Sequence, residues 1–210
     1  MPTEDGGKYR AILLFGPPGA GKGTQGAMLG AVPGFHHVSS GDIFRNLDKQ
    51  SELGQLFLSY STRGELVPDD VTIRICTENL AARTVVGLYR PARDLLVLDG
   101  LPRTVNQASV LSGSIDVLGV VRLVADDRSA MTARLKHRAL QEKRPDDADE
   151  KVIQNRLDVY ERETAPVLGH YPPETVHAVS AMGSPASVLR GVLEAVVPIL
   201  DGHFENAAGA

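Results

Sequence analysis

Short apolar runs recur along the chain, each followed by a longer amphipathic stretch, and this rhythm sets the expected architecture. Tyr9–Phe15 (YRAILLF), Gly34–Val38, Asp94–Leu98 (DLLVL), Gly119–Ala125 (GVVRLVA) and Glu174–Val179 lack the polar–apolar alternation of a half-exposed strand. Runs of this kind suit strands buried on both faces and so predict a parallel sheet. Helical stretches read between them: Gly21–Leu29, Ser40–Leu47, Ser51–Thr62, Asp69–Ala82, Thr104–Leu111, Asp127–Leu140, Asp149–Leu168 and Pro185–Val196. Asp69 and Asp70 place negative charge where a helix N-terminus favours it, and Pro185 suits a first helical turn. Beyond Pro198 the residues are small and polar, and a frayed tail is expected. There is no internal repeat. The alternation predicts one α/β domain, a five-stranded parallel sheet layered between helices.

Composition narrows the function classes. The chain has 210 residues, 42% apolar and 23% charged, as a globular domain requires. Its net charge of −4 supplies no general attraction for nucleic acid or acidic membrane, so any anion site must be local. A single cysteine, Cys76, excludes an internal disulfide and a multi-cysteine zinc site, and its helical context reads as core. The opening MPTEDGGKYR lacks the apolar segment of a secretory signal, and no run approaches the roughly 20 apolar residues of a membrane span. A cytoplasmic protein is the expectation.

The first strand ends in GPPGAGKGTQ, Gly16 to Gln25. Glycines at 16, 19, 21 and 23 let backbone N–H groups converge, and the following helix adds its positive end, so the turn predicts an anion nest. Lys22 adds a full charge that can reach the outer phosphates of such an anion, and Thr24 can offer a hydroxyl to Mg²⁺. Gly23 between Lys22 and Thr24 departs from the strict G-x-x-x-x-G-K-[ST] pattern. The resulting G-x-P-G-x-G-K-G-T form resembles the loop of nucleoside monophosphate kinases, against the alternative of a glycine-rich turn without a ligand. Asp99, ending the third strand, stands where an acid can hold Mg²⁺ directly or through water; capping a helix is its other reading.

Further motifs follow in order: SSGDIFR (Ser39–Arg45), GELVPDD (Gly64–Asp70), LDGLPRTVNQA (Leu98–Ala108) and paired arginines downstream. Together with the loop they resemble adenylate kinase over residues 11 to about 185. That resemblance implies a P-loop fold with an AMP-binding insert over residues 39–68 and a short lid over 137–147, on a core of 9–38, 69–136 and 148–200, with 201–210 a flexible tail. It implies that Gly19, Ala20, Gly21, Lys22, Gly23 and Thr24 bind ATP. Ser40 and Arg45 would receive the ribose-phosphate side of AMP, and Glu65, Leu66 and Val67 would run along its adenine. Gly100, Leu101, Pro102 and Arg103 would form the turn at the AMP phosphate, with Arg103 as its forked cation. Gln107 carries a donor and an acceptor that match adenine's N1 and N6–H, a solvated glutamine being the plain alternative. Thr104 stands where relatives acting on UMP or CMP usually carry Asn. The usual phrase DGFPR is DGLPR here, so altered packing is expected around Leu101. Asp42 orients its loop or meets a metal-bound water, while His36 and His37 read as structural.

RLKHRALQEKR, residues 134–144, puts Arg134 and Arg138 on one helical face. It reads as a solvated basic face from composition alone. The resemblance implies instead that Arg134 and Arg138 act on ATP, and that Arg144 and Arg156 reach the transferred phosphoryl group and the AMP phosphate. Five residues between Arg138 and Arg144 resemble the short-lid form, without structural zinc. Eleven residues lie between Arg144 and Arg156, where relatives place ten; the extra one is expected in the acidic turn Asp146–Lys151. Gly183 resembles the position whose backbone faces the adenine of ATP, or is a turn glycine. The reaction implied is ATP + AMP = 2 ADP, with Mg²⁺, in a monomer without nucleic-acid or membrane partners. The rivals are a UMP/CMP kinase, a P-loop binding module without transfer, and an inactive paralogue.

Overall fold

The computed structural model describes residues 7–125, 127–142, 144, 147 and 149–204. Five strands form one sheet: β1 (Tyr9–Phe15), β2 (Phe35–Ser39), β3 (Leu95–Asp99), β4 (Ile115–Val124) and β5 (Val176–Ser180). Every pairing is parallel, in the order β2-β3-β1-β4-β5. The expected α/β class and the five-stranded parallel sheet are therefore present. β1 is central because its run AILLF offers side chains to both faces. Ala11, Leu13 and Phe15 join one core cluster, while Ile12 and Leu14 join the other.

Among the described residues eight α-helices accompany the strands: α1 (Lys22–Gly30), α2 (Ser40–Arg45), α3 (Glu52–Ser61), α4 (Asp69–Val85), α5 (Val105–Leu111), α6 (Arg128–Glu142), α7 (Glu150–Val159) and α8 (Pro185–His203). α1 and α8 cover one face of the sheet, through Leu29, Val188, Val192 and Val196. α2, α4 and α5 cover the other, through Phe44, Ile75, Leu80 and Leu111. Cys76 lies in that second layer, 5% exposed, and burial pushes its thiol up to about 11, leaving an inert core residue. A separate apolar cluster of Met131, Leu135, Ile153 and Leu157 joins α6 to α7. Among the described residues no helix is long and apolar enough to cross a membrane.

Three boundaries differ from expectation by four residues or more, the rest by three or fewer. β4 begins at Ile115 rather than Gly119, since Tyr9 of β1 pairs with Ile115 and a register shift between Ala11 and Ile12 absorbs the extra length. The helix expected over Asp149–Leu168 ends at Val159; a wide π turn over Tyr160–Thr164 and a 3₁₀ segment over Ala165–His170 follow. Pro166 explains the change, because it has no N–H to continue the α ladder. α8 runs through Pro198 to His203 instead of fraying there. Phe204 is 8% exposed, the Arg10 guanidinium lies 5.5 Å from its ring centre, and Arg10 Nη1 donates to the His203 carbonyl at 2.7 Å. The expected tail is thus ordered as far as 204, and 205–210 lie outside the described residues.

Candidate active site

The strand order reverses beside β1, and the crevice at the carboxyl ends of such a sheet is where ligands bind. A cavity of about 190 Å³ opens there. Phe15 of β1, Ser39 of β2 and Asp99 of β3 reach it from the sheet.

The loop from Gly16 to Gly21 forms its floor. Gly19 sits at φ +86°, and a side-chain carbon there would fall 2.8 Å from the Met131 carbonyl of α6. Only glycine fits, so the loop lies directly against α6. α1 starts with no side-chain cap and no acid in its first turn, which leaves its positive end open to an anion. Lys22 folds back over this loop, its Nζ donating to the carbonyls of Gly16 at 2.6 Å and Pro17 at 3.1 Å. Burial pushes the Lys22 ammonium down to about 8; nearby Asp99 opposes that, and Arg103, Arg138 and Arg156 reinforce it.

The second wall is built around the turn after β3. Gly100 stands at φ +74°, and a side-chain carbon there would meet Ser40 Oγ at 2.7 Å and Arg103 Nη2 at 2.9 Å. Ser40 Oγ and Arg103 Nε both donate to the Gly100 carbonyl, at 2.7 and 2.8 Å. Burial and the neighbouring Arg156 lower the proton affinity of Arg103. Arg45 donates to Asp42 at 2.5 Å, and this bond holds the Asp42 carboxyl below its ordinary value although burial alone would raise it. Glu65, Leu66 and Val67 line the same cavity, as does Gln107, which is 1% exposed. Gln107 Oε1 accepts from the Arg103 backbone N–H at 2.7 Å and Nε2 donates to Asp69 at 2.7 Å.

The arginines close the third side. Arg138, Arg144 and Arg156 all line the cavity. Asp147, fully buried, takes Arg138 Nη2 at 2.6 Å on one oxygen and Arg156 Nη1 on the other. Arg144 Nη2 comes within 4.0 Å of Asp42. Arg156, beyond the segment where an extra residue is expected, still lines the cavity. Of the acidic turn Asp146–Lys151, Asp146 and Ala148 lie outside the described residues, as do Lys143 and Pro145 of the segment expected as a lid; Asp149 caps α7 by accepting from the Lys151 N–H at 2.7 Å.

Five expected residues do not line this cavity. Ala20 is core, 2% exposed, and Leu101 is 4% exposed beneath the turn. Thr24 faces solvent. Arg134 donates to the Ala181 carbonyl after β5 at 3.1 Å, which holds it near Gly183 and away from the arginine cluster. Asp69 and Asp147 read in the sequence only as helix-start and turn acids. Their adjacency to GELVP and to Arg144 was the available signal.

Asp99 is an oxygen donor 8% exposed at the end of β3, with Oδ2 only 3.5 Å from where a side-chain carbon on Gly23 would stand. One carboxylate facing an amide-lined loop suits Mg²⁺, which takes few protein ligands and completes its shell with water and phosphate. Among the described residues no group of three or more His, Cys, Asp or Glu side chains could hold a metal ion.

A glycine-rich loop between β1 and α1, with Lys22, Arg103, Arg138, Arg144 and Arg156 lining the same cavity, is the arrangement of P-loop phosphotransferases. The family model for adenylate kinase matches residues 14–176. The chain is 39% identical to an adenylate kinase of Kocuria rhizophila, with 88% of this chain and 97% of that one aligned. It is 38% identical to one of a Mycobacterium species, covering 88% and 98%, and 36% identical to one of Thermus thermophilus, covering 85% and 92%. The chain belongs to the adenylate kinase family, phosphotransferases whose reaction is ATP + AMP = 2 ADP. The UMP/CMP alternative is not favoured.

Proposed function

We propose that the loop Gly19–Thr24 holds the phosphates of ATP, that Arg45 and Arg103 hold the phosphate of AMP, and that Lys22, Arg138, Arg144 and Arg156 neutralise the phosphoryl group in flight. The observation that carries this reading is the convergence of Lys22, Arg103, Arg138, Arg144 and Arg156, from four distant segments, on one cavity. Cations so crowded repel one another and are stabilised by polyanions. The attacking AMP oxygen is ionised at neutral pH, so no catalytic base is required; alignment and charge stabilisation do the chemistry.

Ser40 and the stretch Glu65–Val67 would seat the ribose and adenine of AMP, with Gln107 reading the base. The turn Gly100–Pro102 would present its backbone to the AMP phosphate, and Leu101 would support it from below. Arg134 and Gly183 would flank the ATP adenine from outside the cavity. Asp99 would hold Mg²⁺, with the Thr24 hydroxyl joining it only if the loop turns it inward, and the ion would supply charge neutralisation and orientation for the ATP phosphates. A cavity of about 190 Å³ is below the roughly 300–1,000 Å³ of a drug-sized ligand site, so both nucleotides enter only if a wall gives. The insert over 39–68 and the lid over 137–147 are the segments that would open, and on closing they would exclude water and so prevent hydrolysis of ATP. A monomer in the cytoplasm, without nucleic-acid or membrane partners, completes the reading.

The test is binding of a bisubstrate mimic, two adenosines joined through five phosphates, by calorimetry. One molecule per chain, competing with both ATP and AMP, is expected. Failure to bind overturns the two-pocket arrangement. A coupled assay with AMP, CMP, UMP and GMP in parallel checks that AMP is the preferred acceptor.

A further inference from the structure

We infer that Asp69 is a positioning residue that fixes which way round the Gln107 amide faces the AMP base, and that it thereby sets the preference for adenine. The inference rests on the reading that Gln107 contacts that base. Asp69 opens α4 directly after the wall segment Glu65–Val67. Its Oδ1 accepts from Gln107 Nε2 at 2.7 Å. Its Oδ2 accepts from Thr104 Oγ1 at 2.8 Å and from Asn106 Nδ2 at 2.8 Å. Thr104 Oγ1 also caps α5 by accepting from the Gln107 N–H at 3.1 Å. Three side chains of one turn therefore converge on a single carboxylate belonging to another helix.

The chemistry of these partners leaves Gln107 one orientation. A carboxylate accepts and does not donate, and the Arg103 backbone N–H, 2.7 Å from Gln107 Oε1, donates and does not accept. Rotating the amide by half a turn would set N–H against N–H and oxygen against carboxylate. Gln107 is 1% exposed, so water cannot make good those losses. Each end of the amide keeps one unused valence, a second N–H and a second lone pair, for a ligand in the cavity that Gln107 lines.

This orientation matters because a free glutamine discriminates poorly. Adenine presents an N6–H donor beside an N1 acceptor. A 6-oxopurine presents the inverse, an O6 acceptor beside an N1–H donor, with no added bulk in inosine monophosphate. An amide free to rotate pairs with either edge. One clamped by Asp69 and the Arg103 N–H pairs with adenine and leaves buried polar groups opposed to the 6-oxopurine. A buried site rejects a ligand on such unmatched bonds far more strongly than on a missing methylene.

The experiment compares steady-state kinetics with AMP and inosine monophosphate varied at saturating ATP, and with ATP varied at saturating AMP, for the native chain, Asp69→Ala and Gln107→Leu. Expected for Asp69→Ala is a rise of about tenfold in KM for AMP, the scale of one to two lost hydrogen bonds. The ratio of kcat/KM for AMP over inosine monophosphate should fall by about tenfold or more, with KM for ATP within about twofold of native. If Gln107→Leu lowers that ratio and Asp69→Ala does not, Gln107 reads the base unaided and the inference is overturned. If neither variant moves it, Gln107 does not read the base, and both readings fall. Equal losses toward ATP, AMP and inosine monophosphate would mean a scaffold role and would also overturn it. Should Asp69→Ala not fold, Asp69→Asn keeps the shape while offering Gln107 an N–H as well as a C=O, and the same ratio must fall.

Discussion

Lys22 Nζ donates to the carbonyl of Gly16 at 2.6 Å, six residues back, so the phosphate loop is closed upon its own cation. Burial and three surrounding arginines depress this ammonium to about 8, with Asp99 holding it up in part. The loop thus carries a charge held by two carbonyls that phosphate oxygens would satisfy better.

Replacing Lys22 by Met is expected to lower kcat by roughly 10³-fold or more, the scale of a removed transition-state cation in phosphoryl transfer. The same change should raise thermal stability at pH 7. The sign follows from the depressed value: between about 8 and the ordinary 10.5 the unfolded chain binds the proton and the folded chain does not, so native stability rises with pH across that window. The advantage of Lys22→Met is therefore full below about 8 and gone above 10.5. Melting curves at pH 7 and pH 10.5 measure it; an equal gap at both would contradict the assignment.

Catalysis should show the same group. With the free ammonium titrating near 8, kcat/KM for ATP is expected to fall as the pH rises through that value. Lys22→Arg, whose guanidinium stays charged, should lack the alkaline limb whatever its absolute rate. A native profile that stays flat to pH 9.5 would sink this prediction.

Leu101 borders a small apolar gap of about 20 Å³, shared with Leu98, Leu111, Cys76 and Ser40, beneath the turn that carries Arg103. At about 24 cal/mol per Å³ such a void costs about 0.5 kcal/mol. Leu101→Phe is expected to gain no more than this, while Leu101→Ala should cost about 3 kcal/mol and raise KM for AMP. Urea unfolding decides the stabilities, and a Leu101→Ala loss under 1 kcal/mol would show that the pocket collapses around the change.

What could be read beforehand depended on how local its cause is. The strand β1 and the loop Gly16–Gly21 are each set by one contiguous run, buried apolar residues in the first case and glycines in the second, and both stand where the pattern places them. The end of α8 depends on Phe204 meeting Arg10 across nearly the whole chain length, a contact no window around Pro198 contains. Pro166 was visible, yet its effect is to replace α turns by wider and tighter ones rather than to end the helical path. Asp69 and Asp147 carry no signature of their own, because what distinguishes them is the set of donors that other segments bring.

Asp147 yields the sharpest test of the cationic cavity. Its buried carboxylate takes Arg138 on one oxygen and Arg156 on the other, so it supplies there the negative charge that two phosphates would supply in the reaction. Asp147→Ala removes that anion and leaves two like charges facing each other. Breaking a fully buried pair costs about 3–5 kcal/mol, but the Arg138 side chain is 29% exposed, so water screens part of the repulsion and about 2 kcal/mol is expected. Five linked phosphates should restore what the carboxylate gave. The rise in melting temperature on saturating with the bisubstrate mimic is therefore expected to be larger for Asp147→Ala than for the native chain, by about the amount the substitution lost. An equal rise in both would mean that the arginines do not face the phosphates, and the electrostatic basis of the proposed transfer would have to be abandoned.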